Sequence, residues 1–198
     1  MDVSSKIEKL ISAISKLPGI GPKSAERIAL YLLSMEDYEI KDFLETIEDA
    51  KEHIKLCPIC FNITDSEICN ICSSSRRDHS VVCVVEEVRD LFAIEKGGEY
   101  NGVYHVLHGK IDPINHISQE DLKIKELIER VARNEIKEVI IATNPNFSGD
   151  LTATYLKKIL TPFGVKVTRI ATGLPKGAEI DFVDSVTLSL AIKERKEA

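Results

Sequence analysis

Apolar residues at Ile7, Leu10, Ile11 and Ile14 recur at helical spacing, and a second set, Ala25, Ile28, Ala29, Leu32 and Leu33, does the same. Between them lies LPGIGPKS, in which Pro18, Gly19 and Gly21 end the first pattern and Pro22 suits the first turn of the second. The pattern predicts a helix, a tight turn and a helix, then a third helix over about Glu39 to Lys55. Past residue 80 the texture changes. VVCVVEE (Val81 to Glu87), KEVIIATN (Lys137 to Asn144) and VKVTRIA (Val165 to Ala171) are near-continuous apolar runs, typical of parallel strands covered on both faces. Helical patterns at Ser118 to Asn134 and about Gly149 to Leu160 separate them. This alternation predicts an open α/β domain with a mainly parallel sheet from about Ser80 to Pro175.

Composition adds limits. A chain of 198 residues, 43% hydrophobic and 29% charged, can bury a core without a metal to make up for small size. No apolar run approaches the roughly 18 residues of a membrane span, and the amphipathic start MDVSSKIEKLISAISKL is unlike a signal peptide, so a cytoplasmic protein with no membrane partner is expected. The formal net charge of −6 argues against wholesale attraction to nucleic acid. Its distribution is uneven: residues 1–30 carry five basic residues against three acidic ones, residues 31–52 two against eight. The acidic block reads as a solvated helix face.

Four of the five cysteines fall inside LCPICFNITDSEICNIC: Cys57, Cys60, Cys69 and Cys72, a CxxC, an eight-residue spacer and a second CxxC. Two such knuckles can complete a tetrahedron of thiolates around one structural Zn²⁺, leaving no open position for a water or substrate. Disulfides are the competing reading, disfavoured by a reducing compartment and by the paired spacing. Cys83, within an apolar strand, reads as a core residue.

LPGIGPKSAER carries a second signal. Turn amides and the exposed N–H groups of the following helix converge on one spot suited to a phosphate, and Lys23 and Arg27, one helical turn apart, add charge on that face. Such contacts predict sequence-independent, salt-dependent DNA binding. The alternative is an αα-hairpin whose glycines, Gly19 and Gly21, merely permit close packing. A nucleotide loop is excluded, because Pro22 separates Gly21 from Lys23.

Glu86 and Glu87 end the first α/β strand, and Asp150 ends the loop TNPNFSGD, places where open sheets bind ligands or Mg²⁺. A solvated strand end and a helix cap by Glu87 are the alternatives. His53, His79, His105, His108 and His116 show no ligand or triad pairing. The apolar tail of RIATGLPKGAEIDFVDSVTLSLAI is either an arm packed on a second subunit or a segment docked on its own domain.

In this order LPGIGPKSAERIALYLL, the paired CxxC loop, VVEE, YHVLHGKIDPI, ATNP and RIATGLPKGAEIDFVDSVTL resemble the bacterial recombination mediator family RecR over nearly the whole chain. The resemblance implies a helix–hairpin–helix over 1–54, a four-cysteine zinc finger over 55–75, a Toprim domain over 80–175 and a C-terminal segment, 176–198, that is Walker B-like and a subunit interface. It implies a non-enzymatic, ring-forming homo-oligomer, dimer or tetramer, that surrounds DNA in the bacterial nucleoid. With RecO and RecF it would help load recombinase on gapped DNA. It maps DNA contact onto Lys23, Arg27, Gly19 and Gly21, zinc onto the four cysteines and partner binding onto Glu86 and Asp150. Two positions depart from the family pattern: Ser148 replaces an acid, which weakens a Toprim metal site, and His108 stands where Gly is more usual. A Mg²⁺-dependent Toprim nuclease or topoisomerase-like enzyme is the competing function.

Overall fold

Helices α1 (Ser5–Ile14) and α2 (Pro22–Ser34) pack through two small residues, Ala25 and Ala29, against Ile14, with Leu10, Ile11, Ile20, Ile28 and Leu32 around them. This arrangement comes from a computed structural model that describes residues 5–133 and 136–195, and in which the chain divides into two units, 1–54 and 55–198. The first four and last three residues of the expected outer domains, and Asn134 at the end of an expected helix, lie outside the described residues. Leu33, expected in the same stripe as Leu32, is instead exposed, because α1 covers only a narrow strip of α2. Helix α3 (Asp37–His53) starts two residues before the expected position, where Glu36 and Glu39 form a reciprocal cap. No residue of α3 is buried in the single chain; its acids are solvated as expected, and Phe43, Leu44 and Ile47 are exposed beside them.

The second unit opens with a small hairpin, β1 (Lys55–Leu56) and β2 (Ile63–Thr64), and a single helical turn, α4 (Asn70–Ser73). Then follow β3 (Asp78–Val85), α5 (Val88–Gly97), β4 (Gly102–Val106), α6 (Ile124–Arg133), β5 (Glu138–Ala142), α7 (Phe147–Leu160), β6 (Lys166–Arg169) and α8 (Ser185–Lys193). The four long strands form one parallel sheet in the order β4-β3-β5-β6. Successive residues of a strand face opposite sides. Val82, Val84, Val139 and Ile141 pack with Leu127 of α6 and Leu156 and Leu160 of α7, while Cys83, Val85 and Tyr104 pack with Leu91 of α5 on the other face. Burial on both faces is what the continuous apolar runs predicted.

Two elements had no clear periodic signal. Strand β4, GVYHV, buries Tyr104 and His105 completely, and α5 is short and ends on Gly98 in the left-handed conformation. The helix expected from Ser118 is split: Ser118 and Asp121 cap a short 3₁₀ turn, and α6 begins only at Ile124. Helix α7 starts earlier than expected because Asn146 accepts the Gly149 N–H at 3.0 Å. Beyond β6 the chain leaves the sheet. Asp184 caps α8, and Ile180, Phe182, Val186 and Ile192 stand exposed. Among the described residues no helix is long and apolar enough to cross a membrane.

Candidate metal centre and nucleic-acid interface

The β1–β2 hairpin forms the first cysteine knuckle. Cys57 donates its N–H to the Asn62 carbonyl at 2.7 Å and accepts the Phe61 N–H at 2.9 Å, a turn that puts Phe61 at φ 61°. The second knuckle closes as Ser73 N–H meets the Cys69 carbonyl at 3.0 Å. All four cysteines are buried with free thiols, and their sulfurs lie within 4.8 Å of one another. A tetrahedral shell with Zn–S bonds of roughly 2.3 Å sets sulfurs roughly 3.8 Å apart, so the donors need only small adjustments. Cys60 and Cys69 are 3.5 Å apart. Hydrogen bonds from Cys60 and Cys72 lower the pKa of Cys69, and the same contact with Cys69 raises that of Cys60. One thiolate thus crowds its neighbours, a conflict that a divalent cation removes. The donor set fits one structural zinc.

The finger is fastened to the α/β domain. Val106 of the outer strand β4 donates to the Cys60 carbonyl at 2.8 Å, and His108 Nε2 bonds the Phe61 carbonyl at 2.8 Å. The Phe61 ring meets the His105 ring edge-on at 5.3 Å, with Lys123 Nζ 5.2 Å from its centre. His108 itself lies at φ 59°, a backbone that glycine adopts freely, and the histidine offsets its strain with the bond to the finger.

Lys23 and Arg27 are both exposed on α2, one turn apart and next to the turn. Gly19 sits at φ 79°, while Gly21 has ordinary extended geometry and precedes Pro22 as the helix cap. A side chain at either glycine would meet nothing within 4 Å. Neither glycine is therefore needed for close packing within the chain, and the hairpin tip lies open beside the two cations.

The acids occupy two settings. Glu86 is only 4% exposed, at the point between β3 and β5 where the strand order reverses, a crevice favoured by ligands in such sheets. Both its oxygens are taken by Asn144, which donates its backbone N–H and its side-chain amide at 2.8 Å each. A Cβ at Gly149 would collide with the Asn144 carbonyl and crowd Glu86, so this loop needs a glycine. Asp150, in the first turn of α7, is exposed and paired with Arg169 at 2.5 Å. Glu87 caps α5, its N–H bonding Asp90 at 2.8 Å. Among the described residues the cysteines form the cluster able to hold a metal with three or more such ligands. Sequence alone does not mark Asn144, Arg169 and His108 as partners of these groups. The available signal for the first was the amide in TNPNFSGD, beside the acid-bearing turn.

Family models match the chain in succession: the RecR helix-hairpin-helix over residues 7–51, the RecR four-cysteine zinc finger domain over 54–74, the Toprim domain over 80–171 and the RecR C-terminal region over 173–196. Hairpin, four-thiolate finger and Toprim sheet in this order define a zinc-containing, DNA-binding protein of repair and recombination. The chain belongs to the RecR family, and the family's role is that of a recombination mediator in DNA repair.

Proposed function

We propose that the protein is a non-enzymatic DNA clamp, a ring of several identical subunits that works with RecO and RecF to help load recombinase on gapped DNA beside the chromosome in the cytoplasm. In this reading residues 1–54 touch DNA, 55–75 form the finger, 80–175 offer a partner surface and 176–198 join subunits. The observation that carries it is the hairpin tip: open space at Gly19 and Gly21 next to exposed Lys23 and Arg27 lets a phosphate backbone approach. An acidic chain with so few cations at the contact binds weakly alone, and repetition around a ring would add those contacts up. Apolar side chains left uncovered support assembly: Tyr31, Phe43 and Ile47 in the first unit, Phe182, Val186 and Ile192 at the end of the second. Asp150 is exposed and would meet a partner as an ion pair with Arg169, and Glu86, held by Asn144, serves by shaping the loop that presents it.

The test is DNA binding by the wild type and by Lys23→Ala with Arg27→Ala over a range of salt, with oligomer mass recorded. Weaker binding and a shallower salt slope in the variant are expected. Equal affinity and slope would refute the contact, and sustained Mg²⁺-dependent cleavage or relaxation of DNA that Glu86→Ala abolishes would overturn the non-enzymatic reading.

A further inference from the structure

Zinc held by four thiolates carries net negative charge, because the thiolates outnumber the charges of the ion. Burying such a centre is costly unless a cation stands close by. All four cysteines are buried. Of the two arginines that follow the finger in sequence, Arg76 is exposed, and Arg77 is clasped by Glu95 at 2.8 and 2.5 Å and donates to the carbonyls of Tyr100 and Gly102.

A further arginine approaches the finger from α6. Arg130 projects from α6, and its Nη1 donates to the Tyr104 carbonyl on β4 at 2.6 Å and lies 3.5 Å from the carbonyl of Ile59, the residue before Cys60 in the first knuckle. Pro58, Ile59 and Phe61 share one cleft with Glu126, Arg130 and Arg133 of α6. Burial lowers the Arg130 pKa, and negative charge on Cys72, Cys60 and Cys57 acts in the opposite sense. A guanidinium stays protonated through such a shift, so its charge is permanent.

We infer that Arg130 is the counter-charge of the zinc centre, a positioning residue of the Toprim domain that offsets the four thiolates and ties the first knuckle to the sheet. Zinc affinity and finger docking are then two faces of one interaction, set by a side chain 58 positions past the last ligand in the sequence. The inference rests on the zinc site alone and is independent of the clamp reading and of the DNA contact.

The test measures zinc affinity of the full chain by competition with a chromogenic chelator, with folding of the α/β domain followed by near-UV circular dichroism. Outer-shell partners typically contribute ten- to a hundredfold to metal affinity. Arg130→Gln, which keeps an amide donor for the carbonyls but no charge, is expected to weaken zinc binding about tenfold or more, while Arg130→Lys stays within about threefold of wild type. His108→Gly removes another side-chain bond from domain to finger, leaving the Val106 backbone bond in place and the charge near the thiolates untouched, and is expected to leave affinity within about threefold. Wild-type affinity in Arg130→Gln overturns the inference. So does a loss in His108→Gly as large as that in Arg130→Gln, since docking alone would explain it, and so does an equal loss in Arg130→Lys, which would assign the effect to fork geometry. Should Arg130→Gln fail to fold, a folded Arg130→Lys with near wild-type affinity sustains the role of charge and one with tenfold weaker affinity refutes it.

Discussion

Asn144 gives both of its amide donors to Glu86, the backbone N–H to Oε1 and the side-chain amide to Oε2, each at 2.8 Å. The two residues follow neighbouring parallel strands, β3 and β5, and bridge the sheet where its strand order reverses. Asn144→Ala would leave a buried carboxylate short of a donor, at a cost of roughly 1–3 kcal/mol. Glu86→Gln should cost a comparable amount, because its amide oxygen accepts one of the two bonds while its NH2 group is turned towards the other Asn144 donor. Urea unfolding monitored by circular dichroism checks both, and an unchanged midpoint in Asn144→Ala would mean that water replaces the missing donor.

Removing Lys23 and Arg27 together should weaken duplex binding uniformly across sequences. The slope of log affinity against log salt should fall by roughly 0.9 for every phosphate that the variant no longer neutralises. Fluorescence anisotropy on two unrelated duplexes separates this from base readout: a sequence-dependent loss would point to contacts other than phosphate.

Cys57→Ser with Cys60→Ser should lose zinc and finger structure together, since both knuckles turn on their ligands and the metal supplies the energy that closes them. Zinc content, thermal melting and DNA binding are the readouts. A zinc-free variant that melts and binds DNA like wild type would show the finger to be dispensable to both.

His105 is fully buried, and burial pushes its pKa from 6.5 to about 4, partly opposed by the bond from Nε2 to the Lys123 carbonyl at 2.7 Å. Facing a carbonyl, Nε2 carries the proton, and Nδ1 is left without a hydrogen-bond partner among the described residues. The folded pKa is depressed, so the unfolded chain binds the proton first as pH falls. The stability contributed by keeping this ring neutral is intact above about pH 6.5 and declines as pH falls towards 4, by at most roughly 3 kcal/mol at 1.36 kcal/mol per pH unit. Protonation of the zinc ligands affects wild type and variants alike. His105→Gln should therefore show a shallower loss over that window in urea titrations at several pH values; parallel curves would place a charged imidazole inside the fold.

What could be read from the chain divides by distance along it. The cysteine spacing, the Pro–Gly turn and the β-branched runs are local patterns, each with a physical cause inside a dozen residues, and the corresponding elements stand where those patterns lie. Strand β4 was missed because its buried faces carry Tyr104 and His105 rather than an aliphatic run, and because its outer edge is completed by a carbonyl from the finger. The setting of the acids was legible least of all. Glu86 finds Asn144 58 positions away, and Arg130 reaches Ile59 across 71, pairings that only the wound sheet brings together. By its place at a strand end Glu86 reads as a solvated or ligand-facing acid, and nothing local to it announces the amide that occupies it.

The bond from Val106 N–H to the Cys60 carbonyl also bears on how copies of this protein meet. Strand β4 is an outer strand of the sheet, and an outer strand with bare donors and acceptors is a template onto which another chain can add a strand. The finger stands across that edge as a stopper. Stripping the metal would then do more than loosen a small loop: it would bare the donors of that edge, the feature that invites a strand from another chain.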